Sequence, residues 1–436
     1  MKSHSANIPP EVVRLCQRLQ QAGYATFLVG GSVRDALRGE PCKDYDLATA
    51  ARPEQVQSAL ADLRVHPTGI DHGTVTVMVP RASDPSPLPV EVTTFRGDGT
   101  YSDGRRPDSV VFLDDVTEDL RRRDFTINAI AYDPVEGVLV DPFEGQRDLQ
   151  AGIVRAVGDP SSRFGEDGLR VLRAVRLAAR FGFVVDPATW RAIPSAFDVL
   201  RQVSRERVRD ELHKILQQSE RHVFHGLDLL FFDPHCDILG VILPDLAPHA
   251  CAIDAKLGRW ISVVAETPPA HRWTALLWPL REHLRARRMD RRATGRYLYE
   301  TLRLSSSQCE GLSWALTTDV PRLAAGPAAV RRFLADHPND QEGIRTWLLV
   351  GQKYEQDTDA KTFAHLAQRV EEVQVRPFPL RPSALAVSGA TLISEIGVEP
   401  GPLVGELQRA LHDWVLEDPA RNESPLLLAE ARRLLA

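Results

Sequence analysis

The sequence has no stretch of about 18 consecutive apolar residues, the length that a helix needs to cross a membrane. In its first segment, MKSHSANIPPEVVRLCQRLQ, Arg14 and Arg18 interrupt the apolar positions, so the pattern differs from that of a secretory signal peptide. We therefore expect neither a membrane span nor a secretion signal, and we expect a cytoplasmic location.

Cysteine is scarce, and the sequence shows no internal repeat or low-complexity tract. The 436 residues contain five scattered cysteines and no C-x-x-C pair: Cys16, Cys42, Cys236, Cys251 and Cys309. This spacing argues against a zinc knuckle and against a disulfide framework, so we expect buried or inert thiols. A chain of this length can bury a large core and is long enough for several domains.

The net charge of −6 gives no support for a nucleic-acid partner when it is averaged over the whole chain. Its distribution is more informative, because residues 281–296 (REHLRARRMDRRATGR) contain seven arginines and residues 201–214 (RQVSRERVRDELHK) are also rich in arginine. Either stretch alone is compatible with a solvated helical face. Such clusters in a mildly acidic protein also indicate a localised anionic partner.

The sequence divides into two regions that differ in their predicted secondary structure. From about Tyr24 to Asp141, β-branched runs such as TFLVGG, TVTVMV and VEVTTF alternate with turn residues and helical patterns, which predicts an α/β or α+β region. From about Arg163 onward the spacing of apolar residues predicts helices separated by prolines. A proline-containing connector at 376–382 precedes a last short helical unit.

The segment VGGSVRDALRG predicts a strand that runs into a tight turn and then a helix. Gly30 and Gly31 would let backbone N–H groups approach a ligand closely, and such a turn can hold phosphate. The alternative is an ordinary turn without a ligand.

Two aspartates follow this segment in DYDLAT. In an extended strand, Asp44 and Asp46 point to the same side, because side chains at i and i+2 share a face. Carboxylates at this distance repel each other unless a divalent cation lies between them, and oxygen ligands of this kind suit Mg²⁺. We predict that both bind the metal ion, and the alternative is a pair of surface aspartates at a strand end.

A third acid, Glu91, lies in the alternating strand PVEVTT. A neighbouring strand of the same sheet could bring it beside the aspartates. The three carboxylates would then bind two metal ions and promote attack by a hydroxyl group on a triphosphate. The alternative is an ordinary glutamate of an edge strand.

Five ordered segments resemble the motifs of bacterial tRNA nucleotidyltransferases, the CCA-adding enzymes, which share their head and neck with bacterial poly(A) polymerases. These segments are LVGGSVRDALRG, KDYDLAT, DLRRRDFTINAIAYD, LVDPFEG and RFGEDGLRVLRAVRLAARFGF. The resemblance covers about the first 220 residues and, more weakly, the last 60, where residues 385–408 are similar to a C-terminal segment of the family.

The resemblance implies an α+β fold in which a nucleotidyltransferase head with a mixed sheet and helices is followed only by helices. The implied domains are the head at 1–150, a nucleotide-reading neck at 151–220, an RNA-binding body at 221–375 and a tail at 376–436.

The resemblance also assigns roles to single residues. Gly30, Gly31 and Arg34 would contact the triphosphate. Asp44 and Asp46 would bind Mg²⁺. In the segment RRDFTIN, the nucleotide would be bound by Arg123, Asp124 and Asn128, with Asp124 orienting the sugar.

In EDGLRVLRAVR, the residues Asp167, Arg170, Arg173 and Arg176 recur at steps of three, which predicts one stripe on a helix. A carboxylate beside a guanidinium offers an acceptor beside a donor, which matches the edges of cytosine and adenine but not those of uracil and guanine. In the family that this chain resembles, Asp167 and Arg170 would read the base. Arg173 and Arg176 would neutralise phosphate or support the base readers. The alternative is an arginine-rich helix with internal salt bridges.

Three further segments refine the interpretation. Residues 96–112 resemble the flexible loop of the family, which is associated with the switch from C to A addition, and residues 204–216 resemble the helix that closes the neck, where Arg207 is a further candidate contact. The tail departs from the family, because Ala390 and Thr391 stand where a lysine and an aspartate are expected.

The resemblance implies template-independent addition of C, C and A to the 3′ end of tRNA from CTP and ATP, with Mg²⁺ as the cofactor and release of pyrophosphate. The arginine-rich body would grip the acceptor arm. Two alternatives stay open: a poly(A) polymerase or A-adding enzyme, and a non-catalytic RNA-binding protein on the same scaffold.

Overall fold

The structure is a computed structural model that describes residues 8–42, 44–81, 84–98, 110–231, 236–246, 254–320, 326–337 and 341–436. The chain divides into two compact units, residues 1–247 with 301–303 and residues 248–300 with 304–436. Within the described ranges, no helix combines the length and the apolar character that crossing a membrane would require. Cys16, Cys236 and Cys309 are buried free thiols and Cys42 is half-buried, whereas Cys251 lies outside the described residues.

A seven-stranded sheet forms the centre of the head, with the strand order β3-β4-β5-β2-β1-β8-β9. It is mixed, because β2 and β5 are parallel while the other neighbours are antiparallel. The strands of the chain are β1 Thr26–Val29, β2 Tyr45–Thr49, β3 Arg64–Gly69, β4 Thr74–Val79, β5 Leu88–Thr94, β6 Arg96–Asp98, β7 Val110–Phe112, β8 Ala131–Asp133, β9 Val138–Val140, β10 Ile153–Val154 and β11 Val184–Val185. The predicted α+β head with a mixed sheet is confirmed.

Alternation along the strands separates a core face from a site face. In β5, Val90 and Val92 are buried in the main core, whereas Glu91 points to the opposite face and is exposed. In β2, Tyr45 and Leu47 belong to the same core, which places Asp46 on the face of Glu91. The period of two therefore puts the acidic side chains away from the apolar layer that stabilises the sheet.

Helices cover the core face of the sheet and continue beyond the head. The helices of the first unit are α1 Pro10–Gln21, α2 Gly31–Leu37, α3 Pro53–Ala59, α4 Val116–Arg121, α5 Gly145–Ala151, α6 Pro160–Glu166, α7 Leu169–Phe181, α8 Pro187–Ala192, α9 Phe197–Gln202, α10 Arg205–Leu216, α11 Glu220–Phe231 and α12 Ile238–Ile242. Short 3-10 turns occupy Ile70–His72, Thr126–Asn128 and Ile193–Ala196. The region after the head is helical as predicted except for the parallel pairing of β10 with β11, where β-branched residues meet.

The helix α7 carries the predicted arginine stripe. Its buried side, which includes Val171, Leu172, Val175 and Ala178, packs into the first unit. Gly182 ends the helix in the left-handed conformation with φ 66°, which is a common way to terminate a helix.

The second unit is helical throughout its described residues. Its helices are α13 Asp254–Glu266, α14 Arg272–Leu277, α15 Leu280–Ala286, α16 Arg291–Leu302, α17 Ser306–Thr317, α18 Pro327–Ala335, α19 Gln341–Tyr354, α20 Asp357–Gln374, α21 Gly389–Ile396, α22 Pro402–Glu417 and α23 Ser424–Leu435. Short 3-10 turns occupy Pro269–His271, Pro382–Ala384 and Pro419–Arg421. The last three helices share an apolar core around Leu392, Leu411, Val415 and Leu427.

One arginine of the 281–296 stretch is structural. Arg281 is 3% exposed and donates from Nη1 to the Ala315 carbonyl at 2.6 Å and from Nη2 to the Thr318 carbonyl at 2.9 Å. It therefore satisfies carbonyl groups at the end of α17 and is not available to an anionic partner. The other arginines of the stretch are exposed: Arg285, Arg287, Arg288, Arg291, Arg292 and Arg296.

Replacing Gly168 by alanine tests the contact between the start of α7 and α9. A Cβ atom at Gly168 would lie 2.5 Å from the Leu200 amide nitrogen and 2.6 Å from the Leu200 Cα, so the backbone would have to shift. We expect Gly168→Ala to lower the free energy of unfolding by about 2 kcal/mol, because overpacking forces such shifts. Chemical denaturation followed by circular dichroism measures this change.

Gly165→Ala is the matched control, because Gly165 lies in α6 and an added Cβ meets no neighbouring atom within 4 Å. This variant should be as stable as the wild type or slightly more stable, since alanine favours helix over glycine. Equal stability of Gly168→Ala and the wild type would contradict the packing described here.

Candidate active site

An open pocket of about 430 Å³ lies in the first unit. It is lined by Gly30, Gly31, Arg34, Asp46, Arg122, Arg123, Asp124, Asn128, Asp167, Leu169, Arg170, Arg173, Arg176 and Arg207. The pocket thus gathers every predicted site residue except Asp44 and Glu91. Two lining residues, Arg122 and Leu169, were not predicted as part of the site, whereas Arg207 was named from the sequence as a further candidate contact.

The glycine turn forms one wall of the pocket. Gly30 has φ 70° and ψ −133°, a backbone conformation that glycine adopts without strain and that other residues rarely adopt. A Cβ atom at this position would lie 2.9 Å from Nη1 of Arg123 and 3.8 Å from Oδ2 of Asp46. The absence of a side chain at Gly30 therefore leaves space where an arginine and a carboxylate converge.

Arg34 enters the pocket from α2 and is almost fully enclosed. Its Nη1 donates to Oδ1 of Asn128 at 2.6 Å, and its Nε donates to Oδ1 of Asp35 at 2.8 Å. Its guanidinium also lies 4.9 Å from the ring centroid of Phe181. Burial lowers the pKa of Arg34 and the Asp35 carboxylate opposes this shift, so a fixed cation faces the pocket.

The predicted carboxylates lie at neighbouring positions along one edge of the site. Asp46 in β2 and Glu91 in β5 are direct partners in the parallel register, and Asp44 immediately precedes β2. Burial raises the pKa of Asp46, the negative charges of Glu91 and Asp44 raise it further, and Arg123 lowers it. In the part of the chain that the structure describes, no group of three or more His, Cys, Asp or Glu residues is gathered closely enough to hold a metal ion.

Arg123 presents a donor without a partner. Its Nη2 donates to Oδ2 of Asp119 at 3.2 Å, and Nε of Arg122 donates to the other oxygen of Asp119 at 3.0 Å. Although burial acts in the opposite direction, these two arginines lower the pKa of Asp119. The Nε of Arg123 is buried and has no hydrogen-bond partner among the described residues. A buried orphan donor on a pocket wall is typical of a ligand-binding group.

Asp124 and Asn128 connect the head to α7 within the wall of the pocket. Oδ2 of Asp124 accepts from Nε of Arg173 at 2.7 Å, and Oδ1 accepts from Nδ2 of Asn128 at 3.0 Å. Burial acts to raise the pKa of Asp124, but Arg173 and Asn128 hold it well below its usual range. Because Asn128 also accepts from Arg34, a continuous hydrogen-bonded chain runs from Arg34 through Asn128 and Asp124 to Arg173.

Asp167 occupies a different place from the predicted one. It lies between α6 and α7 with an extended backbone of φ −153°, so the helical stripe contains only Arg170, Arg173 and Arg176. The stripe prediction was wrong for Asp167 because α6 ends at Glu166 and α7 begins only after Gly168. Asp167 and Arg170 nevertheless line the same pocket.

The two predicted base readers have separate partners. Oδ1 and Oδ2 of Asp167 accept from Nη1 and Nη2 of Arg207 at 3.2 and 2.7 Å. Arg170 instead donates from Nη1 to the Arg163 carbonyl at 2.8 Å and pairs with Glu166. Both side chains are therefore held before any ligand arrives.

The helix α10 supplies two supporting side chains. Glu211 is 3% exposed and accepts from Nε of Arg176 at 2.5 Å and from Nζ of Lys214 at 3.1 Å. Although burial opposes it, Arg176 lowers the pKa of Glu211. Arg207 lies one turn before Glu211, so the i,i+4 spacing places both side chains on the same face of α10, toward the site.

Two further segments from the sequence analysis are the expected flexible loop at 96–112 and the tail residues Ala390 and Thr391. At the two ends of the expected flexible loop, β6 pairs with β7 in an antiparallel arrangement. Residues 99–109 between these strands lie outside the described residues. In the tail, Thr391 donates its backbone N–H to Oγ of Ser388 at 3.1 Å, so the departure from the family pattern contributes to a helix cap at the start of α21.

Comparison with known proteins agrees with this geometry. The model of the "Poly A polymerase head domain" matches residues 26–155, and that of the "Probable RNA and SrmB- binding site of polymerase A" matches residues 182–249. The CCA-adding enzyme of Lacticaseibacillus paracasei is 32% identical over 428 residues, which are 97% of this chain and 96% of that enzyme. The chain belongs to the CCA-adding enzyme family.

Solved structures of CCA-adding enzymes share the fold over almost the whole chain. The Bacillus stearothermophilus CCA-adding enzyme in complex with CTP matches with a TM-score of 0.70 and 28% identity, and the match covers 98% of both chains. The Thermotoga maritima CCA-adding enzyme complexed with tRNA_CCA matches with a TM-score of 0.66 and 20% identity over 100% of this chain and 98% of that one.

In this member of the CCA-adding enzyme family, seven arginines and three carboxylates line the pocket. The excess of positive charge favours a polyanionic ligand. Asp46 comes from β2 and Asp167 from the connection between α6 and α7, so two different elements supply carboxylate acceptors to the pocket.

Replacing Asp124 by asparagine tests the buried connection to Arg173. The variant keeps the shape but removes the charge that compensates Arg173, so we expect a loss of about 2 kcal/mol in the free energy of unfolding. The pKa of Asp124 is lower in the folded state than in the unfolded state. The contribution of the wild-type pair to the free energy of unfolding is therefore complete above about pH 4, and it is lost as the pH falls through the folded-state pKa. Denaturation at several pH values between neutral and acid measures both effects.

Asp198→Asn is the control, since Asp198 pairs with Arg201 at 2.6 Å with its side chain 91% exposed. An exposed pair contributes at most about 1 kcal/mol, so this variant should stay close to the wild type at all pH values. Equal losses in both variants, or an unchanged acid dependence in Asp124→Asn, would argue against the buried pair.

Proposed function

We propose that this protein adds C, C and A to the 3′ end of tRNA from CTP and ATP and releases pyrophosphate. The observation that carries the proposal is that one pocket is lined by the glycine turn, by Asp46 and by the residues Asp167 and Arg170. The similarity to CCA-adding enzymes over nearly the whole chain supports the same activity. The cytoplasm, where tRNA and both nucleotides occur together, is the proposed location.

The triphosphate would lie against the glycine turn. Arg34 and Arg123 present fixed guanidinium groups there, and the buried Nε of Arg123 is a donor that an oxygen of the ligand would satisfy. Gly30 and Gly31 leave the backbone open to close approach. These groups neutralise the charge of the triphosphate and orient the α-phosphate toward the primer.

Enzymes of this family use a divalent metal ion, and we propose Mg²⁺ bound by Asp44 and Asp46 with Glu91 beside them. The donor set fits in its chemistry, because Mg²⁺ prefers carboxylate oxygens. Burial and the negative charges of Glu91 and Asp44 raise the pKa of Asp46, and a bound cation would oppose this shift. A bound divalent ion would lower the pKa of the attacking 3′-hydroxyl and neutralise charge on the phosphates.

The protein rather than a nucleic-acid strand would select the base. Asp167 offers only acceptors and Arg170 only donors. Cytosine presents its N4 amino group beside N3, and adenine presents its N6 amino group beside N1, so both bases can be satisfied by this pair. Uracil and guanine would place a carbonyl oxygen against the carboxylate.

We propose that the region after the head consists of a neck at 151–220, a body at 221–375 and a tail at 376–436. The exposed arginines between 285 and 296 would contact tRNA phosphates, whereas Arg281 is used within the fold. Binding through phosphates should weaken as the salt concentration rises.

Primer extension tests the proposed activity directly. The purified protein with Mg²⁺ would be given tRNA transcripts that end at the discriminator base, at C or at CC, each with CTP, ATP or both nucleotides. Extension of all three transcripts to CCA, sized on a sequencing gel, is the expected result. Long A tails, or growth only from the transcript ending in CC, would instead identify a poly(A) polymerase or an A-adding enzyme.

Asp44→Ala tests the acidic edge. We expect the rate of nucleotide incorporation to fall on the order of 100-fold or more, because charge stabilisation at the reacting phosphate is lost. The exposed Asp198 provides the control variant Asp198→Ala, which should keep full activity. Both variants should unfold at the wild-type temperature, and full activity of Asp44→Ala would remove the metal assignment.

Gly30→Ala tests the phosphate wall. The added Cβ would displace Arg123, so we expect the affinity for CTP in isothermal titration calorimetry to fall by about tenfold, the loss of one good polar contact. Gly39→Ala is the control, because Gly39 has nearly the same φ of 72° and meets no atom within 4 Å. If both variants lose affinity equally, backbone strain and not the contact with Arg123 is responsible.

A further inference from the structure

One aromatic ring lies against three arginines at the end of α7. The guanidinium carbon of Arg34 lies 4.9 Å from the ring centroid of Phe181. Those of Arg38 and Arg180 lie 4.5 and 4.9 Å from the same centroid. A cation within about 6 Å of an aromatic centroid is attracted by the negative charge density over the ring face. Phe181 therefore attracts Arg34, which is one of the residues that line the pocket.

The chain that follows α7 holds this ring in place. Phe181 is the last residue of α7, and Gly182 ends the helix in the left-handed conformation. The ring centroid of the buried Phe183 lies 5.4 Å from that of Phe181, a distance at which aromatic rings stabilise each other. The carbonyl oxygen of Phe183 accepts from Nε2 of His225 at 2.9 Å. The sequence Phe-Gly-Phe thus fixes the ring that lies against Arg34.

Two of the three arginines share a single carboxylate. Nε and Nη2 of Arg34 lie 2.8 and 2.7 Å from Oδ1 of Asp35, and Nη2 of Arg180 lies 3.2 Å from its Oδ2. A second carboxylate could also stabilise Arg34, but it would cancel the positive charge that attracts a polyanion. The ring of Phe181 attracts the cation without adding a negative charge to the site.

The contacts of Arg34 leave part of its guanidinium available to a ligand. A guanidinium group has five N–H donors. The described contacts engage Nε and Nη2 with Asp35 and Nη1 with Asn128, so one N–H on each Nη atom remains. Nη2 lies beside the glycine turn, because a Cβ atom at Gly31 would be 3.4 Å from it. The direction of the remaining donors therefore depends on what fixes the plane of the guanidinium.

We propose that Phe181 is a positioning residue for the triphosphate, whose ring holds the guanidinium of Arg34 beside the glycine turn through a cation–π contact. This inference rests on the proposed function, in which Arg34 binds the triphosphate. Among the described residues, the lining of the pocket includes Arg34 but not Phe181. Phe181 thus acts through Arg34 and does not contact the nucleotide.

Fluorinated phenylalanines in place of Phe181 test the cation–π contact with little change in shape. Each fluorine withdraws electron density from the ring face, so mono-, di- and trifluorinated rings attract a cation progressively less. We expect the affinity for CTP in isothermal titration calorimetry to fall stepwise, to about fivefold below that of the wild type. The affinity for inorganic triphosphate should fall by the same factor, because Arg34 would contact the phosphates and not the base.

The same analogues in place of Phe183 are the matched control. The ring of Phe183 lies 5.2 Å from the guanidinium carbon of Arg38, and no described contact joins it to Arg34. This series should keep the wild-type affinity for both ligands. Equal losses in the two series, or a loss for CTP without one for inorganic triphosphate, would overturn the inference. An unchanged affinity with trifluorophenylalanine in place of Phe181 would overturn it as well.

Ordinary substitutions extend the test to the reaction. In Phe181→Leu, which lacks the ring, we expect KM for CTP to rise about fivefold on tRNA that lacks CCA, with kcat nearly unchanged. Phe181→Tyr keeps the aromatic face and should match the wild type. Because Phe181 acts through Arg34, the double variant Arg34→Ala/Phe181→Leu should bind CTP no more weakly than Arg34→Ala. Should Phe181→Leu fail to fold, the fluorinated series decides the question, since it preserves the shape of the ring.

Failure of the proposed function has a different signature. A wild-type protein that binds CTP but extends none of the tRNA substrates would refute the function, and the fluorinated series would still decide the role of Phe181. A wild type that adds CCA while the series leaves its CTP affinity unchanged would refute only the positioning role. A wild type that binds neither CTP nor inorganic triphosphate would refute both.

Discussion

The hydrogen-bonded chain from Arg34 through Asn128 and Asp124 to Arg173 is the constraint on which the pocket depends. It joins a helix at the start of the head, a short turn in its middle and the helix α7 of the following region. Since a buried charge is costly unless it is paired, removing one member exposes the others to an unsatisfied environment. The walls of the pocket are therefore held in one relative position by polar contacts among the lining residues themselves.

Most cations of the pocket are paired with an acid before a ligand binds. Asp119 holds Arg122 and Arg123, Glu211 holds Arg176, and Glu166 holds Arg170. Groups that are oriented in advance need no reorganisation when charge develops in the reaction. The same pairs reduce the self-repulsion of seven arginines in a small volume, so the site keeps its electrostatic character without destabilising the fold.

The local parts of the site were predictable from sequence, and the long-range parts were not. Strand alternation predicted that the acids of DYDLAT share a face, and the glycine turn before α2 was clear from VGG. The direct pairing of Asp46 with Glu91 depends on the strand register, which the sequence left as a possibility. The step of three also suggested a helical position for Asp167, but the chain leaves the helix there, because Gly168 packs against the backbone of α9. Neither that contact nor the burial of Arg281 against α17 leaves a periodic signal, since both depend on residues distant in sequence.

The parallel pairing of β2 with β5 has a consequence for the order in which the protein is made. The β3–β4 hairpin lies between these two strands in sequence. In the sheet, β5 lies between β4 and β2 and pairs with both. Pairings between segments that are distant in sequence form slowly, because the entropy of closing the intervening loop opposes them. A growing polypeptide on the ribosome thus cannot bring Asp46 beside Glu91 until all of β5 has emerged. The acidic edge is absent from every shorter nascent chain, and premature termination before this strand leaves a fragment without it.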